Sequence, residues 1–225
     1  LHKEYRRQRQ MCIRDRSYRG RSRLREDYVV DVAEALANAD SVYSVEQVGI
    51  EGILCHTEGP EETLAVVMSL IQAGDFAIGI GRTVTMAGYS DDIEDYEPLP
   101  VEEELRILGQ VAHRAVAKNQ RAGAVTVRLE LPGPGQVLAP GKGMEIADDI
   151  SASFTLIAHV LARRTKEGRE ATALLRSGYS QSEAAKVVGI SKQAMSQRLA
   201  AAGWQAEQAG WSLAVHMLAR VDDLR

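Results

Sequence analysis

The stretch Gln181-Ser182-Glu183-Ala184-Ala185-Lys186-Val187-Val188-Gly189-Ile190-Ser191-Lys192-Gln193-Ala194-Met195-Ser196-Gln197-Arg198-Leu199 carries the pattern of a helix-turn-helix, two short helices joined by a tight turn. Ala185 is small enough for two helices to cross closely. Gly189 supplies the positive φ that a tight turn requires, at low cost. Ile190, Met195 and Leu199 fall on the inward face of the second helix, and polar residues fall on its outward face. Start and stop signals agree. Ser180 with Glu183 spells a capping box before the first helix. Ser191 is placed to cap the second, and Gly203 stops it. With Ser191 as the cap, Lys192, Gln193, Ser196 and Gln197 share one solvent-facing side.

In DNA-binding hairpins of this kind, the N-terminal residues of the second helix meet base edges in the major groove. Glutamine pairs bidentately with adenine, and lysine reaches the acceptors of guanine. Ser191, Lys192, Gln193, Ser196 and Gln197 are therefore the candidate base readers. Arg169, Arg176, Lys186 and Arg198 are the candidate phosphate contacts, which position a protein without specifying sequence. The same hairpin serving only to bind protein is the competing reading.

Charge is distributed unevenly. The 225 residues sum to −4, yet residues 163–203 hold eight Lys/Arg against three acids. Residues 91–104 hold eight acids and no base. A basic hairpin in an acidic chain is what contact with phosphate at one face requires. An apolar content of 45 % excludes wholesale disorder. No run of 18 apolar residues is present, and no apolar segment follows the basic start, so neither a membrane span nor a secretory signal is expected. Cys12 and Cys55 lie far apart and spell neither a disulfide framework nor a zinc site. A reducing cytoplasm is the expected compartment.

Residues 1–25 hold ten Lys/Arg against two acids and show no periodicity. The run Met11-Cys-Ile-Arg-Asp-Arg16 resembles a peptide produced when sequencing-adapter read-through is translated. Residues 1–23 are thus expected to be a disordered or artefactual segment, the functional alternative being a basic arm on the DNA backbone.

From Leu24 the pattern becomes regular. Leu24, Tyr28, Val32 and Leu36 recur on one side of a helix over 24–38. Two short strands, 42–48 and 50–56, flank Gly49. Pro60 opens a helix whose stripe is Leu64, Val67, Met68 and Ile71, and Gly74 closes it. Phe76 to Ile80 is a strand candidate. A helix from about Val101 to Gln120 and an alternating strand from Ala124 to Leu131 follow. Residues 132–146 form a Pro/Gly linker, after which everything reads as helix. The expected architecture is α+β: a domain over 24–131 for sensing, scaffolding or dimerisation, with helices on one sheet face. An all-α helix-turn-helix domain over 147–225 follows it.

The segments Ala162–Ala171 and Gln197–Trp204, with the hairpin between them, resemble a group of actinobacterial helix-turn-helix transcriptional regulators often labelled SatD-like or MarR-type. Ser44–Ile53 and Phe76–Gly81 extend the resemblance more weakly. It implies a ferredoxin-like or nucleotidyl-cyclase-like N-terminal fold and a bacterial, cytoplasmic regulator. Double-stranded DNA is the expected partner. A homodimer is expected too, with an effector at the N-terminal domain and no membrane, cofactor, metal or catalysis. The chain departs from that group at Gly49-Ile50-Glu51, where the group carries Gly-Asp-Glu. The strand expected before the first helix is missing or replaced by the segment 1–23, and no wing is seen after Leu199.

Other constellations are weaker. Gly79-Ile-Gly81 reads as close strand packing rather than a nucleotide loop. Gly141-Lys142-Gly143 lacks the spacing of a P-loop. Cys55 and His56, neighbours on a strand, point to opposite faces and cannot pair as nucleophile and base. His113, His159 and His216 are dispersed. Asp91, Asp92, Glu94, Asp95 and Glu97 read as a solvated loop and not an EF-hand. A degenerate cyclase-like domain with a regulatory tail is the alternative from the enzyme class. Carboxylates converging near Gly49 and Gly81 would be its signature.

Overall fold

The computed structural model describes residues 11–15, 25–84, 100–117, 119–131 and 141–224. The elements in order are β1 (Met11–Asp15), α1 (Arg25–Ala37), β2 (Ser44–Val48), β3 (Gly52–Thr57), α2 (Pro60–Ala73), β4 (Ile78–Thr83), α3 (Val101–Ala115) and β5 (Val125–Glu130). They are followed by α4 (Lys142–Ala162), α5 (Lys166–Arg176), α6 (Gln181–Val188), α7 (Lys192–Ala201), α8 (Trp204–Ala219) and a 3-10 turn, Arg220–Asp223. The chain is a mixed α+β protein. Leu24, the acidic residues 91–97 and the linker residues 132–140 lie outside the described residues.

The five strands form one sheet in the order β2-β3-β1-β4-β5. β1 runs antiparallel to both β3 and β4, β2 and β3 form a hairpin, and β5 adds parallel to β4. The hairpin around Gly49 matches the sequence reading, with Val48 opposite Gly52. The expectation of a disordered segment over 1–23 is corrected for residues 11–15. They fill the centre of the sheet, where β3 and β4 would otherwise face each other with unpaired backbone. The Arg-rich surroundings of Met11–Asp15 show no alternation, so the sequence did not mark this strand.

Strand alternation separates two layers. Ile53, Cys55, Ile78, Ile80, Val125 and Leu129 face one core, shared with α1, α2, α4 and α8. Leu54 faces the other side, where it meets Leu108 and Ala112 of α3. Helices therefore cover both sheet faces, not one. α3 comes close because β4 presents glycine to it. A Cβ on Gly79 would lie 2.7 Å from the Ala112 carbonyl oxygen, and one on Gly81 would lie 2.2 Å from the Ala112 nitrogen. The Gly-x-Gly of β4 is thus a packing device. α3 stops at Ala115 and not near Gln120, because Val116 is extended. Gln120 is buried instead, donating to the carbonyls of Ile78 and Ala124 and accepting from Ala117 and Thr126.

The division at residue 147 is also revised. α4 already begins at Lys142. Its Ile146, Ile150, Phe154, Ile157 and Leu161 join Ala214 and Leu218 of α8 in the same core as the sheet. Two C-terminal helices thus complete the N-terminal layer. α5, α6 and α7 stand on a separate core built from Ala171, Ala184, Ala185, Met195 and Leu199, with Trp204 of α8 packed against it.

Candidate nucleic-acid interface

Local rules set the hairpin. Ser180 caps α6 by accepting from the Glu183 backbone N–H, while the Glu183 carboxylate accepts from the Ser180 N–H. This reciprocal bond holds the Glu183 carboxyl below the usual carboxylate range. Gly189 takes φ +76° at the end of α6. The Ile190 N–H then returns to the Ala185 carbonyl at 3.0 Å, closing the turn. Ser191 caps α7, accepting from the Ala194 N–H at 3.1 Å. Gln181 crosses from the start of α6 to donate to the Lys192 carbonyl, 3.2 Å away. Each helix end in the pair is therefore satisfied without a partner molecule.

Packing fixes the phase of α7. Ala185, Met195 and Leu199 are buried, and Ile190 packs against the same cluster. On a helix of this pitch, burying Met195 and Leu199 turns Lys192, Gln193, Ser196 and Gln197 outward. All four are exposed, as is Ser191. The base-reading set named from the sequence is thus gathered on one open flank, except that the Ser191 hydroxyl is spent on its cap.

The phosphate set divides. Lys186 and Arg169 are exposed, with one Arg169 nitrogen donating to the Arg164 carbonyl. Arg198 lies half-buried beside the exposed Glu170 carboxylate, 4.0 Å away. Arg176 is tethered: its Nε donates to Glu207 Oε1 at 2.8 Å and its Nη2 to Thr172, while its side chain keeps 27 % exposure.

The partner of Arg176 was not anticipated. Glu207 of α8 is 3 % exposed, and Arg164, 2 % exposed, places Nη2 2.5 Å from its other oxygen. Arg164 Nε also donates to the Ala202 carbonyl at the end of α7, 2.7 Å away. Glu207 thus joins the α4–α5 loop, α5, α7 and α8 in one buried cluster. Its signal was present in the sequence: a single acid, three residues after Trp204 and four before Trp211, on an otherwise apolar stripe. After α7, residues 204–219 are helical, and no strand follows them among the described residues.

The enzyme-class signature has little room. Gly81 lies under the α3 backbone, and Gly49 sits at an exposed turn. Cys55 faces the main core, while His56 turns to the α3 side. The Leu105 carbonyl can only accept, so His56 Nε2 carries the proton, and Nδ1 accepts from the Ser44 hydroxyl at 2.8 Å. Burial pushes the His56 pKa below its ordinary value. Among the described residues no group of three or more His, Cys, Asp or Glu is placed to hold a metal ion, and no helix is long and apolar enough to cross a membrane. No family model, curated protein or solved structure matches the chain.

Proposed function

We propose that this protein is a sequence-specific DNA-binding regulator that places α7 in the major groove. The observation that carries the reading is the open flank of Lys192, Gln193, Ser196 and Gln197, standing over the buried Met195 and Leu199 in a fully capped hairpin. Lys192 and the two glutamines have the donor and acceptor sets that discriminate base edges. Lys186 and Arg169 supply exposed charge for phosphates, and the half-buried Arg198 is the third candidate. Arg176 is already paired with Glu207, which leaves it the weakest of the four candidates for a phosphate. One helix of this length touches few base pairs, so two copies bound to adjacent half-sites complete the reading of an operator.

The order β1-α1-β2-β3-α2-β4, with β1 between β3 and β4, supports a ferredoxin-like reading of this layer, with α3 and β5 as an addition. In this proposal that layer is a scaffold. The cyclase-like alternative draws no support from the geometry, since Gly81 is covered by α3 and offers no space for converging carboxylates. The test is enrichment of duplexes from a random pool on the full chain, followed by gel shifts at two salt concentrations. Retention of a defined sequence, weakened by salt, supports the proposal. Binding that ignores sequence, or none at the lower salt, refutes it.

A further inference from the structure

Between α5 and α8 lies an open groove of about 420 Å³, lined by Arg176, Trp204, Glu207, Gln208, Trp211 and Ser212. Its size suits a small organic molecule. Trp204 and Trp211, seven residues apart, lie on one face of α8 and are half-buried. Such rings offer flat apolar surface to a planar ligand. The floor is ionic and unbalanced. Glu207 is the single carboxylate shared by Arg164 and Arg176, so the cluster keeps one positive charge in excess. Arg164 is buried, whereas the Arg176 side chain retains 27 % exposure and lines the groove. A ligand carboxylate there meets a guanidinium already held in place by Glu207 and Thr172.

We infer that this groove binds a small aromatic carboxylate, its ring against Trp204 and Trp211 and its carboxylate on Arg176. The position gives such a ligand a route to the hairpin. Trp204 follows Gly203, which ends α7 at φ +67°, and Arg164 of the same cluster holds the Ala202 carbonyl. That consequence rests on the DNA-binding reading, whereas occupation of the groove does not.

The chain's two tryptophans both line this groove, so its intrinsic tryptophan fluorescence reports on the site and nowhere else. The experiment titrates the full chain, without DNA, with phenylacetate and with its neutral analogue phenylacetamide. The expected result is a saturable change with phenylacetate, and affinity for the amide weaker by about tenfold or more. Arg176→Gln should abolish the difference between the two compounds. Because that change disturbs the Glu207 cluster, Ser212→Phe provides an independent variant: it fills the groove from an exposed position and should block both ligands with the circular dichroism unchanged. A non-saturating response, equal affinity for acid and amide, or undiminished binding to folded Ser212→Phe would overturn the inference. A chain that binds phenylacetate but no duplex would sustain it while refuting the DNA reading. A chain that binds duplex but gives no saturable fluorescence change would do the reverse.

Discussion

Gln193 and Lys186 are both exposed polar residues on the hairpin, yet on a duplex they would do different work. Gln193→Ala should cost about 1–3 kcal/mol at one base pair and relax preference there, while Lys186→Ala should weaken every duplex alike and lower the salt slope by about one. Affinities for single-base-pair variants of an enriched duplex, measured over a salt series, separate the two effects. Equal losses on enriched and scrambled DNA for Gln193→Ala would remove its assigned role. A second residue-scale consequence concerns His56. Burial holds its folded pKa below the unfolded value, so the unfolded chain binds more protons as the solution turns acid. The stability it contributes is complete above the ordinary histidine value and is lost as pH falls below it. Urea midpoints on either side of that value should show the drop, and His56→Gln should flatten it. The exposed flank of Lys192, Gln193, Ser196 and Gln197 was legible because helical phase and caps are local rules. The occupation of Arg176 was not, because Glu207, which claims it, lies 31 residues away in the chain.

At the scale of elements, α6 and α7 are specified almost entirely by their own sequence. The capping box, the glycine at φ +76° and the Ser191 cap can all be read within twelve residues, and the structure places each as expected. α8 is specified differently. Its Glu207 is buried with two arginines from other segments, and removing one partner of such a cluster leaves a desolvated charge behind. Glu207→Gln should therefore cost about 3–5 kcal/mol, visible as a lower urea midpoint. It should also loosen the end of α7, where Arg164 holds the Ala202 carbonyl. A midpoint within error of the parent would show that Arg164 and Arg176 do not depend on that carboxylate. Elements whose limits depend on distant contacts were the ones misjudged. α3 ends early because the Gln120 side chain is needed at Ile78, and α4 starts early, inside a Pro/Gly stretch that reads as linker.

For the whole molecule, one apolar cluster runs from α1 through the sheet to α4 and α8, and a small second core carries the hairpin. The α+β class was legible from the alternation of β5, from the short strand candidates before it and from the helical stripes. The placement of α4 and α8 on the sheet was not, since an amphipathic stripe does not name its partner. β1 escaped notice because Met11–Asp15 sits in an Arg-rich stretch with no alternation of apolar and polar residues. Deleting residues 1–16 should leave β3 and β4 with unpaired edges at the centre of the sheet, and thermal unfolding followed by circular dichroism should lose its cooperative transition. A truncated chain with an unchanged transition would show that Met11–Asp15 is dispensable. The central claim is that α7 enters the major groove, and methylation interference on an enriched duplex addresses it most directly. Modification of guanine N7, which lies in the major groove, should block binding within the half-sites, while modification of adenine N3, in the minor groove, should leave it intact. Interference confined to adenine N3, or failure of any duplex to be enriched, would contradict the account.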